Sequence, residues 1–139
     1  MFEKILVPLD GSENSLRALE KAVQIAKKFD GKITLIHAYS VSYFAVTPTQ
    51  VYRYVKAIRR NGTDILADGK KRVKAEGVQV ETLLSEGHSV EEILKTSREG
   101  DFDLVVIGAR GVSRIREILV GSVSDGVTKH APCPVLLVK

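Results

Sequence analysis

Short apolar segments rich in valine, isoleucine and leucine recur along the chain, and turn residues separate them. Segments of this length and composition are typical of buried strands. Five strands are therefore predicted, at residues 5–9, 33–39, 78–84, 104–107 and 135–138. Four of them are apolar nearly throughout, as strands covered on both faces are, whereas the third alternates apolar and polar residues. The third strand is predicted to lie at an edge of the sheet.

The interval after the first strand has the apolar spacing of an amphipathic helix. Leu16, Leu19 and Val23 fall on one face of it. Ser12 is of the residue type that caps helix N-termini, and Gly31 stands where a C-terminal glycine is expected. We expect a helix between these two residues.

The interval after the second strand begins with Thr47-Pro48-Thr49-Gln50, a capping-box pattern with proline at the first helical position. Its apolar stripe continues through Gly62 and Gly69, which predicts close packing of the helix on the sheet. Asn61-Gly62 is also a turn signal and leaves a break at that point as the alternative. A continuous or kinked helix is favoured.

Two further helices complete the pattern. One begins at the capping-box pattern of residues 89–92 and ends at Gly100, and the last begins near Ser122 and ends before Pro132. Strict alternation of strands and helices predicts a parallel, doubly wound α/β sheet with helices on both faces. The chain is short and contains no linker-like segment, so residues 1–139 are expected to form one domain.

Composition narrows the function classes. The net charge is +4, but lysine and arginine are spread over all the helical segments and no aromatic residues are interleaved for base stacking, which argues against nucleic acid. No apolar run approaches the ~20 residues of a membrane span. With one cysteine, Cys133, and an N-terminus unlike a signal sequence, a cytoplasmic location is expected.

Polar residues and glycines are concentrated after the first and fourth strands, in Asp10-Gly11-Ser12 and Gly108-Ala109-Arg110-Gly111. Open α/β sheets bind ligands at the carboxyl ends of their strands, where the strand order reverses. The glycines allow a ligand to approach the main chain. Asp10 can accept bonds from ribose hydroxyls or hold Mg²⁺ through water, and Arg110 adds positive charge at the rim.

The last helix opens with Gly121-Ser122, and a helix start offers unpaired amides and a positive dipole end to phosphate. Ser122 and Ser124 add hydroxyl donors. Taken singly, each of these features more often has a structural role than a ligand-binding one. Neither a Walker A loop nor a Gly-x-Gly-x-x-Gly fingerprint is present, so the sequence does not support a classical NTPase or an NAD-binding protein.

Several other groups are interpreted as structural. The three histidines lack the spacing of metal ligands, and Cys133 has no neighbouring base to activate it. The carboxylate pairs Glu91-Glu92 and Asp101-x-Asp103 suit a helix start and the amino end of a strand, and neither is assigned a catalytic role.

The features together resemble the universal stress protein family. The resemblance runs from ILVPLDGS (residues 5–12) through LIHA (35–38) to HAPCPVLLV (130–138). Its most specific element is Gly108-x2-Gly111-x9-Gly121-Ser122, which in that family distinguishes members that bind ATP. The resemblance implies ATP, with Mg²⁺ accompanying the phosphates, a strand order of 3-2-1-4-5, and a homodimer formed through the terminal strand.

The resemblance also implies roles for individual residues. Asp10 and Gly108 would lie against the ribose, the main chain at Ala38 would read the adenine edge, and Val7 and Pro8 would line the base pocket. Those expected to hold the phosphates are Gly111, Gly121, Ser122, Val123 and Ser124. Ser12 and Arg110 complete the candidate set.

Three functions remain open at this point. The favoured one is a nucleotide-dependent regulatory or stress-response module, whose ATP-bound and ATP-free states present different surfaces. A slow ATPase or phosphoryl-transferring protein is the second, although no P-loop lysine or obvious base stands beside Ser122. The third is a dimeric scaffold in which nucleotide is structural. Binding is preferred over turnover, and the downstream partner is not identified.

Overall fold

The computed structural model describes residues 1–42, 47–110 and 120–139. In these residues the predicted alternation of strands and helices is present throughout. The elements in chain order are β1 (Lys4–Pro8), α1 (Glu13–Phe29), β2 (Lys32–Tyr39), α2 (Pro48–Ala75), β3 (Val80–Glu86), α3 (Ser89–Glu99), β4 (Leu104–Gly108), α4 (Ser122–His130) and β5 (Val135–Val138).

The five strands form one parallel sheet in the order β3-β2-β1-β4-β5, as expected. The chain moves outward from β1 to β3 and then returns to β4 on the other side of β1. The order therefore reverses between β1 and β4, where Leu6 pairs with Val105. This boundary is the topological switch point, and its carboxyl end is the expected ligand position.

Alternate side chains of the sheet enter two separate cores. Ile5 and Val7 face the layer formed by α1 and α2, and Leu6 faces the layer formed by α3 and α4. Helices on both faces account for the apolar character of the inner strands. In the described part of the chain, no helix is long and apolar enough to cross a membrane.

The two edge strands of the sheet are those that the expected strand order places there. The edge position of β3 is confirmed. The edge position of β5 follows from the expected order and is also confirmed; its coverage is less complete than the apolar run suggested, since Val138 and Leu137 pack into the two cores but Leu136 is 38% exposed. Four apolar residues in a row suit a buried strand, but the position of a strand in the sheet depends on the order of the others.

Two of the predicted helix starts are confirmed by their hydrogen bonds. The Ser12 hydroxyl accepts from the Ser15 amide and caps α1. Thr47 and Gln50 bond each other's main-chain amides in the predicted capping box, and α2 continues through Gly62 without a break.

The predicted capping box of α3 is wrong. His88 is the N-cap and makes no side-chain cap bond, while Ser89 is already helical. The Glu92 carboxylate instead accepts a hydrogen bond from the Ser85 hydroxyl at the end of β3. A tertiary partner has therefore replaced the local one that the sequence pattern suggested.

Candidate functional site at the carboxyl edge of the sheet

The end of β4 and the start of α4 are joined by short hydrogen bonds. The Gly121 amide donates to the Ala109 carbonyl at 2.6 Å, and the buried Ser124 hydroxyl donates to the Gly108 carbonyl. The Ala109 amide in turn donates to the Val138 carbonyl of β5 at 2.7 Å. These bonds fix the N-terminus of α4 directly beside the switch point.

The start of α4 has the properties of an anion site. Gly121 is its N-cap, with extended main chain and no side-chain cap bond. Within the described residues, no protein acceptor bonds the main-chain amides of Ser122, Val123 or Ser124. Unpaired amides and the helix dipole both favour a bound anion at this position.

The hydroxyls of Ser122 and Ser124 in α4 differ in exposure and in hydrogen bonding. Ser122 is exposed, so its hydroxyl is accessible to a ligand. Ser124 is only 3% exposed, and its hydroxyl is committed to the Gly108 carbonyl. Ser124 therefore offers a phosphate its main-chain amide, whereas the hydroxyl expected to bind phosphate supports the end of β4.

The loop after β1 places a carboxylate on the other side of the switch point. Asp10 is partly buried, and its Oδ1 accepts from the Ser12 amide at 2.9 Å. Gly11 between them has a φ of +85°, a conformation that favours glycine. Ser12 already uses its oxygen to cap α1, so the Asp10 carboxylate is the candidate ligand group of this loop.

The remaining candidate residues occupy different environments. Val7 is fully buried in the core beneath α1 and α2, and Pro8 is buried at the end of β1. Ala38 lies near the carboxyl end of β2, and Arg110 is exposed after β4. Gly111 lies outside the described residues.

Gly108 has a packing requirement of its own. A Cβ at this position would lie 2.9 Å from both the main-chain carbon and the oxygen of Asn14 in α1. The absence of a side chain therefore lets α1 approach the end of β4. This reason is independent of any ligand.

The groups interpreted as structural have protein partners or an apolar setting. His37 is 9% exposed, and its Nδ1 lies 2.7 Å from the Leu9 carbonyl. Asp103 accepts from the main-chain amides of Glu3 and Lys4, at the opposite edge of the sheet. Burial, aided by the charge of Asp103, raises the pKa of the Cys133 thiol, which disfavours the nucleophilic thiolate.

Sequence reasoning missed the part that α2 plays beside the loop after β1. A cleft of about 250 Å³ separates α1 from α2, with Leu9, Gly11, Leu16 and Ile65 among its lining residues. The two glycines on the stripe of α2 were the signal that could have revealed this contact. In the described ranges, no group of three His, Cys, Asp or Glu side chains is arranged to hold a metal ion.

At the level of sequence, the family model and the curated relatives that match this chain all point to one family. The model of the universal stress protein family matches residues 1–139. Universal stress protein YxiE of Bacillus subtilis is 33% identical over 148 residues, covering all of both chains. Universal stress protein MJ0531 of Methanocaldococcus jannaschii is 36% identical over 141 residues, covering all of this chain and 83% of its own.

Solved structures of universal stress proteins superpose on this chain. Universal stress protein UspA from Lactobacillus plantarum superposes with a TM-score of 0.89 at 26% identity, covering 99% of this chain and 98% of its own. A universal stress protein in complex with cAMP superposes with a TM-score of 0.76 at 28% identity, covering 99% and 97%. The fold, the full-length family match and the relatives together show that this chain belongs to the universal stress protein family.

Proposed function

We propose that this universal stress protein binds an adenine nucleotide at the switch point between β1 and β4, with ATP and its accompanying Mg²⁺ as the ligand. The observation that carries the proposal is the arrangement of an uncapped helix start and a carboxylate at one edge of the sheet. Phosphates and a ribose require these two kinds of group.

The phosphates would lie at the start of α4. The amides of Ser122, Val123 and Ser124 supply donors, the exposed Ser122 hydroxyl adds another, and the exposed Arg110 supplies positive charge. Gly121 keeps the approach clear because it has no side chain. Gly111 belongs to the same proposed set on the strength of the sequence motif.

The nucleoside would lie nearer to β1 and β2. Asp10 is the acceptor for ribose hydroxyls, and the main chain at Ala38 reads the adenine edge. Pro8 lies at the floor of the base pocket, and the fully buried Val7 supports it from the core. The related structure in complex with cAMP supports an adenine nucleotide, since cAMP and ATP share the adenosine part.

The proposed role is regulation through binding. Rapid phosphoryl transfer needs a positioned base and strong neutralisation of the γ-phosphate, and the sequence has no P-loop lysine to provide the latter. We therefore propose that nucleotide occupancy changes the surface that the protein presents to a partner.

The first test identifies the bound nucleotide. Protein purified without added ligand is denatured, and any released nucleotide is identified by chromatography and mass spectrometry.

The second test measures thermal stability. Protein freed of nucleotide is heated with Mg²⁺ and ATP or GTP. A ligand selective for the native state stabilises it by about 2.7 kcal/mol at a hundredfold excess over Kd, so the unfolding temperature should rise with ATP and rise less with GTP. An unchanged temperature at millimolar ATP would contradict the proposal.

A further inference from the structure

Leu9, the residue before Asp10, is held by β2 through both of its main-chain polar groups. Its amide donates to the Ile36 carbonyl at 2.8 Å, and its carbonyl accepts from Nδ1 of His37 at 2.7 Å. A carbonyl can only accept, so Nδ1 carries the proton. The His37 bond is a buried link between β2 and the loop after β1.

The His37 ring is itself confined by α2. A Cβ on Gly62 would lie 2.7 Å from Cδ2 of the ring and 3.3 Å from Nε2, so the helix main chain lies close against it. A Cβ on Gly69 would lie 2.6 Å from Cδ1 of Leu9. The same stripe of α2 therefore packs against the ring and against the residue that the ring bonds.

Fixing the Leu9 carbonyl has a direct consequence for the next residue. The peptide group is planar, so the orientation of the Leu9 carbonyl sets the positions of the Asp10 amide and Cα. The Asp10 carboxylate is then held by the Ser12 amide at 2.9 Å. The hydrogen bonds thus run from β2 through Leu9 and Asp10 to the cap of α1.

We propose that His37 is a positioning residue for nucleotide binding, acting through the Leu9 carbonyl to hold the Asp10 carboxylate where a ribose can reach it. This inference rests on the proposed function, and in particular on Asp10 as a ligand group. His37 makes no contact with the nucleotide in this scheme.

The test compares two amide substitutions by calorimetric titration with ATP and Mg²⁺. In His37→Asn the side-chain amide nitrogen can occupy the position of Nδ1 and keep the hydrogen bond to the Leu9 carbonyl. In His37→Gln the longer side chain places the amide nitrogen near the position of Nε2, where this hydrogen bond is lost. We expect the asparagine variant to bind within about threefold of the parent and the glutamine variant to lose about tenfold, the effect of one buried hydrogen bond. Circular dichroism confirms folding, and His37→Leu replaces the glutamine variant if that variant does not fold.

A double-mutant cycle separates positioning from general stability. The effect of His37→Gln is measured again in an Asp10→Ala background, where it should largely disappear because the two residues act as one unit. A loss of the same size in that background, or equal affinities of the two amide variants, would overturn the inference alone. A parent that does not bind ATP, or an Asp10→Ala variant that binds as tightly as the parent, would overturn the proposed role of Asp10 and this inference with it.

Discussion

Gly108 and Gly121 belong to the same sequence motif, but the structure uses them differently. Gly108 lacks a side chain because the main chain of Asn14 in α1 lies against it. Gly121 is the N-cap of α4 and directly precedes the unpaired amides. A substitution at 108 therefore disturbs the fold, whereas one at 121 disturbs the proposed phosphate site.

Gly121→Val is expected to abolish ATP binding with little loss of fold, because the added side chain blocks the approach of phosphate to the amides and dipole of α4. Cys133→Ala is the control, since it removes a partly buried thiol that is outside the candidate site and costs about 1 kcal/mol of packing. Calorimetric titration with ATP compares the affinities of the two variants, and circular dichroism confirms that both are folded. A folded Gly121→Val protein with parental affinity would mean that the phosphates lie elsewhere.

Glu81 gives a residue-scale prediction about pH. Its carboxylate lies 2.6 Å from Nζ of Lys32 on the neighbouring strand, and this hydrogen bond, with the lysine charge, lowers the pKa of Glu81. A carboxyl whose pKa is lower in the folded state stabilises that state above its ordinary pKa, and the contribution is lost as the pH falls through the lowered value.

Glu81→Gln should therefore lower the unfolding temperature slightly at pH 7, and the difference from the parent should shrink as the pH falls below the ordinary pKa of Glu and disappear once it is below the lowered pKa of Glu81. Glu86→Gln is the control on the same strand, because Glu86 is exposed and forms no ion pair with a described residue. The pH dependence is tested by measuring unfolding temperatures from about pH 3 to about pH 8, a range that spans the ordinary pKa of Glu. A difference that persists in acid would show that charge is not its origin.

At the scale of elements, α2 supports the sheet and the loop after β1. Its C-terminal half carries four buried residues, Gly62, Leu66, Gly69 and Val73, while none of residues 48–61 is buried. The buried stripe packs on the sheet and on the loop after β1, with Ile65 3.3 Å from the position of a Cβ on Gly11. Glycine weakens an isolated helix, so its presence twice on this stripe reflects close approach.

Gly69→Ala should destabilise the protein by about 1–3 kcal/mol, although alanine is the better helix former. The reason is the added Cβ, which would lie 2.6 Å from Leu9 and 3.0 Å from Leu35. Asn61→Ala is the control, because it improves helix propensity at an exposed position of the same helix and should leave stability equal or slightly higher. Urea denaturation measures both, and a Gly69→Ala protein as stable as the parent would show that α2 has room to move.

At the scale of the whole molecule, the sheet has two unlike edges. β3 is charged and seven residues long, whereas β5 is four apolar residues, Val-Leu-Leu-Val. Each edge exposes one leucine to a similar degree, Leu83 at 39% and Leu136 at 38%. Open apolar edges promote association, so β5 is the edge expected to be covered by a second copy.

We predict a homodimer in solution that Leu136→Lys converts to monomers, because a charge on the edge opposes strand pairing. Leu83→Lys is the matched control and should leave the dimer intact. Light scattering at tens of micromolar protein measures the mass of each. A monomeric parent, or equal effects of the two substitutions, would contradict the prediction.

The strands, the helices and their order could be read from the sequence because their signals are local. Apolar runs, helical spacing, the Ser12 cap and the Thr47 capping box each involve residues within a few positions of one another. The alternation of elements indicated a parallel sheet, and the family resemblance supplied the strand order that the structure confirms. The same local pattern failed at α3, where Glu92 bonds Ser85 across a turn.

The connections within the candidate site were decided by tertiary structure alone. Gly108 meets Asn14, Ser124 bonds the Gly108 carbonyl, and His37 bonds the Leu9 carbonyl across 28 residues. Such contacts depend on which strands become neighbours and on how closely the helices pack, and no short stretch of sequence encodes either. The sequence by itself determined the elements and the residue types at the carboxyl edge, while the packing of distant segments decided which side chains remain available to a ligand and which support the main chain.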